Sequence, residues 1–499
     1  MNSPTLSEAE LRKPARNERQ QKWPFVAAGA LAAIYGVISI LIARQRPFWY
    51  DEILTVIYSG QPTVAAMWKA LAIGADGVPP ANDLIVRLFA HLPLPLEVAA
   101  RLPSALAMAA GLLVTFDCAR RLTDGLRALI AVAFLTCSVL PYYGYEARPF
   151  ALVFLLSAAA LWLWMNTDDA KRSSAVFVGL VFFAAVFAHY YTVLWLLPYT
   201  LWELSNRSTR RVPSRKLIAA YVGVICALAL LSKQILALYA IFARGFWAPA
   251  SLRSLALTFT GLFPHVLWPT VGILGLAALW RASAANSVVK PMQPYEQLCW
   301  FFAVLPLTGF VAGKLVTHAY LDRYFIGMLP ALAIGLACLI ARHVPDSQRI
   351  ALAAVVLFAA FGLANELEHL HYASSVHPIP PTLESERMAK LLALEAETPA
   401  NQFIVLRTGD LLTLEAHYYA RHPDRIVFLL PPSVSAPEPE APSATGKDLP
   451  IRYWTAQELQ NHAGEILIDP AQQTLDQLQR AGHTSSEHFD GMLDVVTVR

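Results

Sequence analysis

Phe48-Trp49-Tyr50-Asp51-Glu52 sets two adjacent carboxylates beside large aromatic rings. Further along, Tyr142-Tyr143-Gly144-Tyr145-Glu146-Ala147-Arg148-Pro149 packs a third carboxylate, a guanidinium and three tyrosines into one short stretch. A carboxylate can take the proton of an attacking hydroxyl, and aromatic faces with a carboxylate suit a sugar ring. His189-Tyr190-Tyr191 adds an imidazole able to orient a substrate or ligate a metal. Arg101, Lys233, Lys314 and the Arg323 of Asp322-Arg323-Tyr324-Phe325 supply cations that could hold a phosphate by charge-assisted hydrogen bonds. Each group has a plainer reading. Trp49 and Tyr50 could be interfacial anchors, Glu146 and Arg148 a local ion pair, His189 a packing residue, and any one lysine or arginine a snorkelling side chain. What these residues share is one level in the chain's architecture.

That level follows from the elements between them. The chain has 499 residues, 56% of them hydrophobic and 15% charged, which is not the balance of a water-soluble enzyme. Apolar blocks of about 16 to 22 residues recur from Phe25 to Asn365, each near the length needed to cross roughly 30 Å of hydrocarbon as a helix. The reading is mainly α: a polytopic bundle of about eleven spans, at 25–43, 98–118, 126–140, 149–165, 174–189, 191–204, 217–238, 266–281, 298–316, 324–341 and 350–365. The first block follows five basic residues, is long for a signal peptide and lacks a clear cleavage site, so it reads as a retained helix after a cytoplasmic tail, residues 1–24. The net charge of +3 points to no nucleic-acid partner, and the five cysteines fall within or beside apolar blocks as packing residues.

Basic loops at Arg120–Arg127, Lys171–Arg172, Arg207–Lys216 and Arg342–Arg349 alternate with less basic ones, which makes the N-terminus cytoplasmic. The loops 44–97, 141–148, 239–265 and 317–323 then lie on the outer side, and with them the candidate residues. In the first of these loops, Val64, Met67, Trp68 and Leu71 form a helical stripe suited to a helix along the membrane surface. After the transmembrane domain, residues 25–365, charged residues return. Strand-like runs at Phe403–Leu406, Ile426–Leu430 and Ile466–Ile468 alternate with helix-like stretches at Glu384–Glu395 and Thr474–Ala481. Residues 366–499 thus read as a small extracytoplasmic α/β domain, with Pro431–Asp448 as a loop inserted in it.

The ordered set of Trp49-Tyr50-Asp51-Glu52, Val78-Pro79-Pro80, Ala100-Arg101-Leu102-Pro103-Ser104-Ala105, Tyr145-Glu146-Ala147-Arg148-Pro149, His189-Tyr190-Tyr191 and Asp322-Arg323-Tyr324 resembles the dolichyl-phosphate-mannose protein mannosyltransferase-like glycosyltransferases of the GT-C class. The resemblance covers about residues 20 to 365. It departs where Ala81-Asn82-Asp83 stands in place of a common aromatic after the Pro-Pro pair, and where Val78 replaces a frequent histidine. It implies a membrane glycosyltransferase that moves a sugar from a polyprenyl-phosphate donor to a glycan, lipid or protein acceptor on the extracytoplasmic face; attack opposite the phosphate would invert the anomeric centre, and the abundance of Ala, Leu and Arg suits a bacterial inner (plasma) membrane. By the same resemblance Asp51 is the catalytic base, Glu52 its neighbour and Glu146 a second acid. Tyr50, Arg101, Tyr145, Arg148, His189, Tyr190, Lys314 and Arg323 are the expected substrate-binding residues. A divalent metal could bridge carboxylates and phosphate, with no ligand set identified. Alternative readings are a lipid-linked sugar transporter or flippase, which would favour internal repeats and interrupted helices, an O-antigen-type polymerase or ligase, and a noncatalytic assembly protein.

Overall fold

The computed structural model describes residues 18–498 except 73–75, 169–170, 207–212, 243–247, 284–290, 345–346, 374–382, 400, 408–414, 416–417, 430–451, 455, 460–465, 469–471, 481–484 and 490–493. The expected insertion Pro431–Asp448 lies outside the described residues.

The chain opens with α1 (Glu18–Gln45) and continues through three short helices, α2 (Tyr50–Ser59), α3 (Val64–Ala72) and α4 (Ala81–Phe89). These three occupy the segment expected as the first outer loop. The stripe expected there forms α3, with Met67 and Leu71 buried against Tyr58, whereas Val64 is exposed. The bundle proper follows as α5 (Leu96–Leu122), α6 (Gly125–Thr136), α7 (Leu140–Gly144), α8 (Phe150–Asn166), α9 (Arg172–Ala188) and α10 (Leu196–Ser205). It closes with α11 (Arg215–Leu230), α12 (Ser232–Phe242), α13 (Leu252–Leu262), α14 (Leu267–Ser283), α15 (Pro294–Phe301), α16 (Leu305–Ala312), α17 (Leu329–His343) and α18 (Gln348–Ala373).

This is an integral membrane protein. Among the described residues five helical segments are long and apolar enough to cross a membrane, Lys22–Gln45, Leu96–Leu122, Pro294–Thr317, Asp322–His343 and Gln348–His371. Two bent pairs raise the number to as many as seven: α11 with α12, turned by 67°, and α13 with α14, turned by 71°. Each of the eleven expected spans has a helical counterpart, but α6, α8 and α9 are shorter apolar helices. The segment 239–265, expected as a loop, contains the whole of α13. The last helix runs to Ala373, past the expected end of the bundle at residue 365.

Small residues let the helices approach closely, the usual basis of packing between membrane helices. A Cβ at Gly223 of α11 would fall 2.1 Å from the Gly179 carbonyl oxygen of α9, and one at Gly111 of α5 would strike the Phe154 ring of α8. At one end of the bundle Arg127 donates to Val344 O and carries the Asp124 carboxylate, Arg342 pairs with Glu296, and Lys216 donates to Trp164 O and Thr167 O. The antiparallel run of helices places Arg46–Glu52, Arg101, Tyr145–Arg148 and Arg323 at the opposite end, where their side chains meet.

The C-terminal domain holds a six-stranded sheet ordered β3-β2-β1-β4-β6-β5, made of β1 (Ile404–Arg407), β2 (Ile426–Leu429), β3 (Arg452–Trp454), β4 (Ile466–Ile468), β5 (Ser485–Phe489) and β6 (Asp494–Val498). The first four strands run parallel and the last two join antiparallel. Alternate residues point to opposite faces of a strand. Ile404, Leu406, Ile426 and Phe428 therefore meet Leu391 of α19 (Leu383–Glu397) on one face, while Val405, Val427 and Leu467 meet Leu459 and Leu478 on the other.

Candidate active site

α1 ends at Gln45, and four residues later Trp49 caps α2. Glu52, three residues into that helix, reaches back to accept the Trp49 N–H at 3.3 Å, the acidic half of a capping box. The same carboxylate accepts two parallel bonds from Arg101, Nε to Oε1 at 2.7 Å and Nη2 to Oε2 at 2.6 Å, and one from the Ala147 N–H at 2.7 Å. Arg101 spends its other donors on the carbonyls of Ala43, Arg46 and Pro47. All five guanidinium N–H groups thus have acceptors. Both side chains are about 1% exposed. In this arrangement every Arg101 donor and both Glu52 oxygens are engaged within the protein. Together they pin α1, α2, α5 and the Tyr145–Arg148 turn to one another.

Asp51, the next residue round the helix, is different. Its carboxylate remains 17% exposed, 3.2 Å from Arg323 Nη2 and 4.0 Å from Arg148 Nε. Arg148 holds the helix rather than the carboxylate, donating to Asp51 O and Thr55 Oγ1, both at 3.0 Å, and forking onto Asp76 at 2.9 and 3.2 Å. Among the described residues the buried Arg323 Nε has no hydrogen-bond partner. Its guanidinium lies over the rings of Trp49 and Phe150, 5.8 and 5.5 Å from their centroids.

Glu146 is fully buried, and among the described residues neither carboxylate oxygen has a hydrogen-bond partner. Burial first, and then the nearby Glu52 charge, push its carboxyl up to about 8, against the pull of Arg323 and Arg46. It is therefore largely protonated at neutral pH and able to donate a hydrogen bond. Tyr145 is turned away from this group, its hydroxyl 2.9 Å from His369 Nδ1. Tyr50 contributes its backbone to α2, while its ring remains partly exposed. His189 is buried, stacked at a tilt on Tyr324 with centroids 4.9 Å apart, and its Nδ1 accepts the Tyr191 N–H. Tyr190 keeps a buried hydroxyl without a partner. Lys314 is exposed in the Gly313–Thr317 turn and, among the described residues, makes no ion pair, so it does not join the cluster. Lys233 is likewise exposed.

Sequence reasoning missed Asp76 and Asp83, which flank Val78-Pro79-Pro80. Asp76 is the fork partner of Arg148. Asp83 is wholly buried, among the described residues neither of its oxygens has a partner, and burial followed by the Asp76 charge raises its carboxyl well above the usual range. The departure of Ala81-Asn82-Asp83 from the family pattern was the only visible signal for it. Asn82 Nδ2 donates to Ala147 O at 3.1 Å, and Gln234 of α12 donates to Val78 O at 3.0 Å, so this segment is tied to both neighbouring elements of the site. Among the described residues no three His, Cys, Asp or Glu side chains are grouped to hold a metal ion.

Residues 77–236 match the family model described as dolichyl-phosphate-mannose-protein mannosyltransferase. That stretch contains Arg101, Glu146, Arg148, His189 and Tyr190, and stops short of Asp51 and Arg323. No curated protein matches the chain by sequence. The fold is similar to that of ArnT from Cupriavidus metallidurans: the crystal structure bound to undecaprenyl phosphate superposes with a TM-score of 0.57 at 14% identity, covering 94% of this chain and 97% of that one. The apo crystal structure of the same protein gives a TM-score of 0.55 at 14% identity over the same shares. Residues 77–236 thus match the mannosyltransferase family model, and the fold of the chain as a whole is similar to that of ArnT.

Proposed function

We propose that the chain is a membrane glycosyltransferase that moves a sugar from a polyprenyl-phosphate carrier to an acceptor hydroxyl at the Asp51 end of the bundle. The observation that carries this reading is the partly exposed Asp51 carboxylate, ion-paired to a guanidinium whose Nε has no partner among the described residues. The undecaprenyl phosphate bound by the ArnT structure supports a lipid phosphate as the donor's carrier.

In this mechanism the donor phosphate competes with Asp51 for Arg323, which frees the carboxylate as the guanidinium turns to the phosphate. Asp51 takes the acceptor proton while the acceptor oxygen attacks the anomeric carbon opposite the phosphate. The carbon–oxygen bond to the phosphate breaks, and its electron pair leaves with polyprenyl phosphate. Negative charge growing on that oxygen is met by Arg323, so the interaction strengthens toward the transition state. The anomeric centre inverts. Glu146, protonated, supplies a hydrogen bond to a sugar hydroxyl or to the phosphate without adding negative charge. Tyr190 and His189 offer further polar contacts near the reacting groups. With no three-ligand set among the described residues, a divalent ion would rely on Asp51 and oxygens brought by the phosphate; activity with and without a chelator measures that dependence. The site would face the extracytoplasmic side of the inner membrane, with a glycan, lipid or protein as acceptor.

The test is transfer of radiolabelled sugar from polyprenyl-phosphate donors to an envelope extract by wild type and Asp51→Asn in membranes. The variant should lose about 10²–10⁴-fold in rate, the range for a positioned general base, at equal protein abundance. Equal rates would remove Asp51 from the mechanism. No transfer by either protein, together with movement of lipid-linked sugar between leaflets, would replace the enzyme with a flippase.

A further inference from the structure

The catalytic helix is capped from the far end of the chain. The first N–H groups of a helix have no intrahelical acceptor. In α2 the Tyr50 N–H donates to Glu415 Oε1 at 2.8 Å, across 365 residues of sequence. Two residues earlier, the Phe48 N–H donates to the Tyr419 hydroxyl. The Phe48 ring lies edge-on to Tyr418, with centroids 6.4 Å apart, and carries the Arg101 guanidinium on its face at 4.7 Å. Phe48, Ile53, Val86, Ala100 and Ala147 form one small buried cluster, on which Tyr418 and Tyr419 pack. These contacts bracket Asp51: one amide before α2 and one in its first turn are both held by the C-terminal domain.

We propose that Glu415 and Tyr419 are positioning residues for the Asp51 carboxylate, so that the C-terminal domain completes the active site instead of merely following it. The inference rests on the functional reading above. A carboxylate at a helix N-terminus is favourable to the helix dipole, and it fixes the first turn, whose Cα at position 51 sets where the base lies. Loosening that turn misplaces Asp51 relative to Arg323 and the acceptor. A displacement of about 1 Å at a reacting group can cost on the order of 100-fold in rate. Because the lipid phosphate is held by Arg323 on another element, the loss falls on kcat and does not raise KM for the donor.

The variants are Glu415→Ala, Glu415→Gln and Tyr419→Phe in the full-length protein. The glutamine keeps an acceptor oxygen for the Tyr50 N–H, whereas alanine removes it; phenylalanine keeps the ring and removes the hydroxyl. The expected result is a kcat loss of about 10- to 100-fold for Glu415→Ala, recovery to within a few-fold by Glu415→Gln, and no rise in donor KM in either. Hydrogen exchange of peptides spanning residues 46–55 should quicken in Glu415→Ala and Tyr419→Phe, with no change in peptides from α17. Wild-type kcat in Glu415→Ala, or unchanged exchange at residues 46–55, would overturn the inference while leaving the glycosyltransferase reading intact. A wild-type protein that transfers no sugar would instead bring down that reading, and this inference with it.

Discussion

Asp51 and Glu52 are neighbours in sequence and opposites in role, because successive side chains on a helix point about 100° apart. Glu52 is directed into the bundle, where Arg101 and two backbone amides saturate it. Asp51 is directed to the rim, where Arg323 meets it at 3.2 Å, Arg148 lies 4.0 Å away and solvent reaches it. Removing one partner of a buried ion pair leaves the other charge uncompensated, at a cost of about 3–5 kcal/mol. Arg101→Ala should therefore lower the thermal midpoint of the detergent-solubilised protein and reduce its abundance in membranes. A variant of normal stability with a raised donor KM would return Arg101 to the phosphate-binding role read from sequence. Glu146 yields a pH prediction. Burial holds its carboxyl up at about 8 in the fold against the ordinary glutamate value of 4.5 in the unfolded chain, so between those values the folded state holds the extra proton. Stability from this group is present below about pH 4.5 and is lost as pH rises through about 8. Glu146→Gln, which mimics the protonated form, should gain thermal midpoint relative to wild type as the buffer moves from pH 5 to 9. A difference that stays constant across that range would show that Glu146 does not titrate there.

At the scale of elements, the sequence was most legible where one physical signal dominates. Long apolar blocks mark the helices of the bundle, and strands β1, β2 and β4 stand out as apolar β-branched runs with both faces covered. Strands β3 and β5, Arg452–Trp454 and Ser485–Phe489, carry polar residues at the sheet's two edges and give no such signal. The bends between α11 and α12 and between α13 and α14 were equally hidden, since apolar composition continues across each break. Such interruptions were counted as a transporter's mark. Here they lie toward the Asp51 end, where Gln234 of α12 reaches Val78 and the His265 N–H reaches Cys137 O beside the Tyr142–Pro149 turn. Close helix contacts are legible only after the fold is known: Gly179 and Gly223 are ordinary small residues in sequence, yet their backbones touch. Gly223→Ala would put a Cβ 2.1 Å from a carbonyl oxygen that cannot swing aside as a side chain could. Overpacking of this kind costs about 1–3 kcal/mol, so the variant should melt earlier than wild type. An unchanged midpoint would mean that α9 and α11 separate at little cost.

For the whole molecule, the site exists only where distant segments converge: Asp51 from the first loop, Glu146 and Arg148 from a turn between α6 and α8, and Arg323 from the approach to α17. Sequence order could place these residues at one end of the bundle but could not pair them, because the ion pair between Asp51 and Arg323 spans most of the membrane part. That pair suggests how donor binding should register in stability. Polyprenyl phosphate without sugar, the reaction's product, should bind the folded chain and not the unfolded one, adding about 2.7 kcal/mol at 100 times its Kd. If Arg323 holds the phosphate as proposed, Arg323→Ala should lose most of the resulting thermal shift. The free variant should melt close to wild type, because the broken pair is only partly buried and such pairs contribute little. If Lys314→Ala lost the shift while Arg323→Ala kept it, the phosphate would belong in the exposed Gly313–Thr317 turn, and the competition between phosphate and Asp51 for one guanidinium would have to be abandoned.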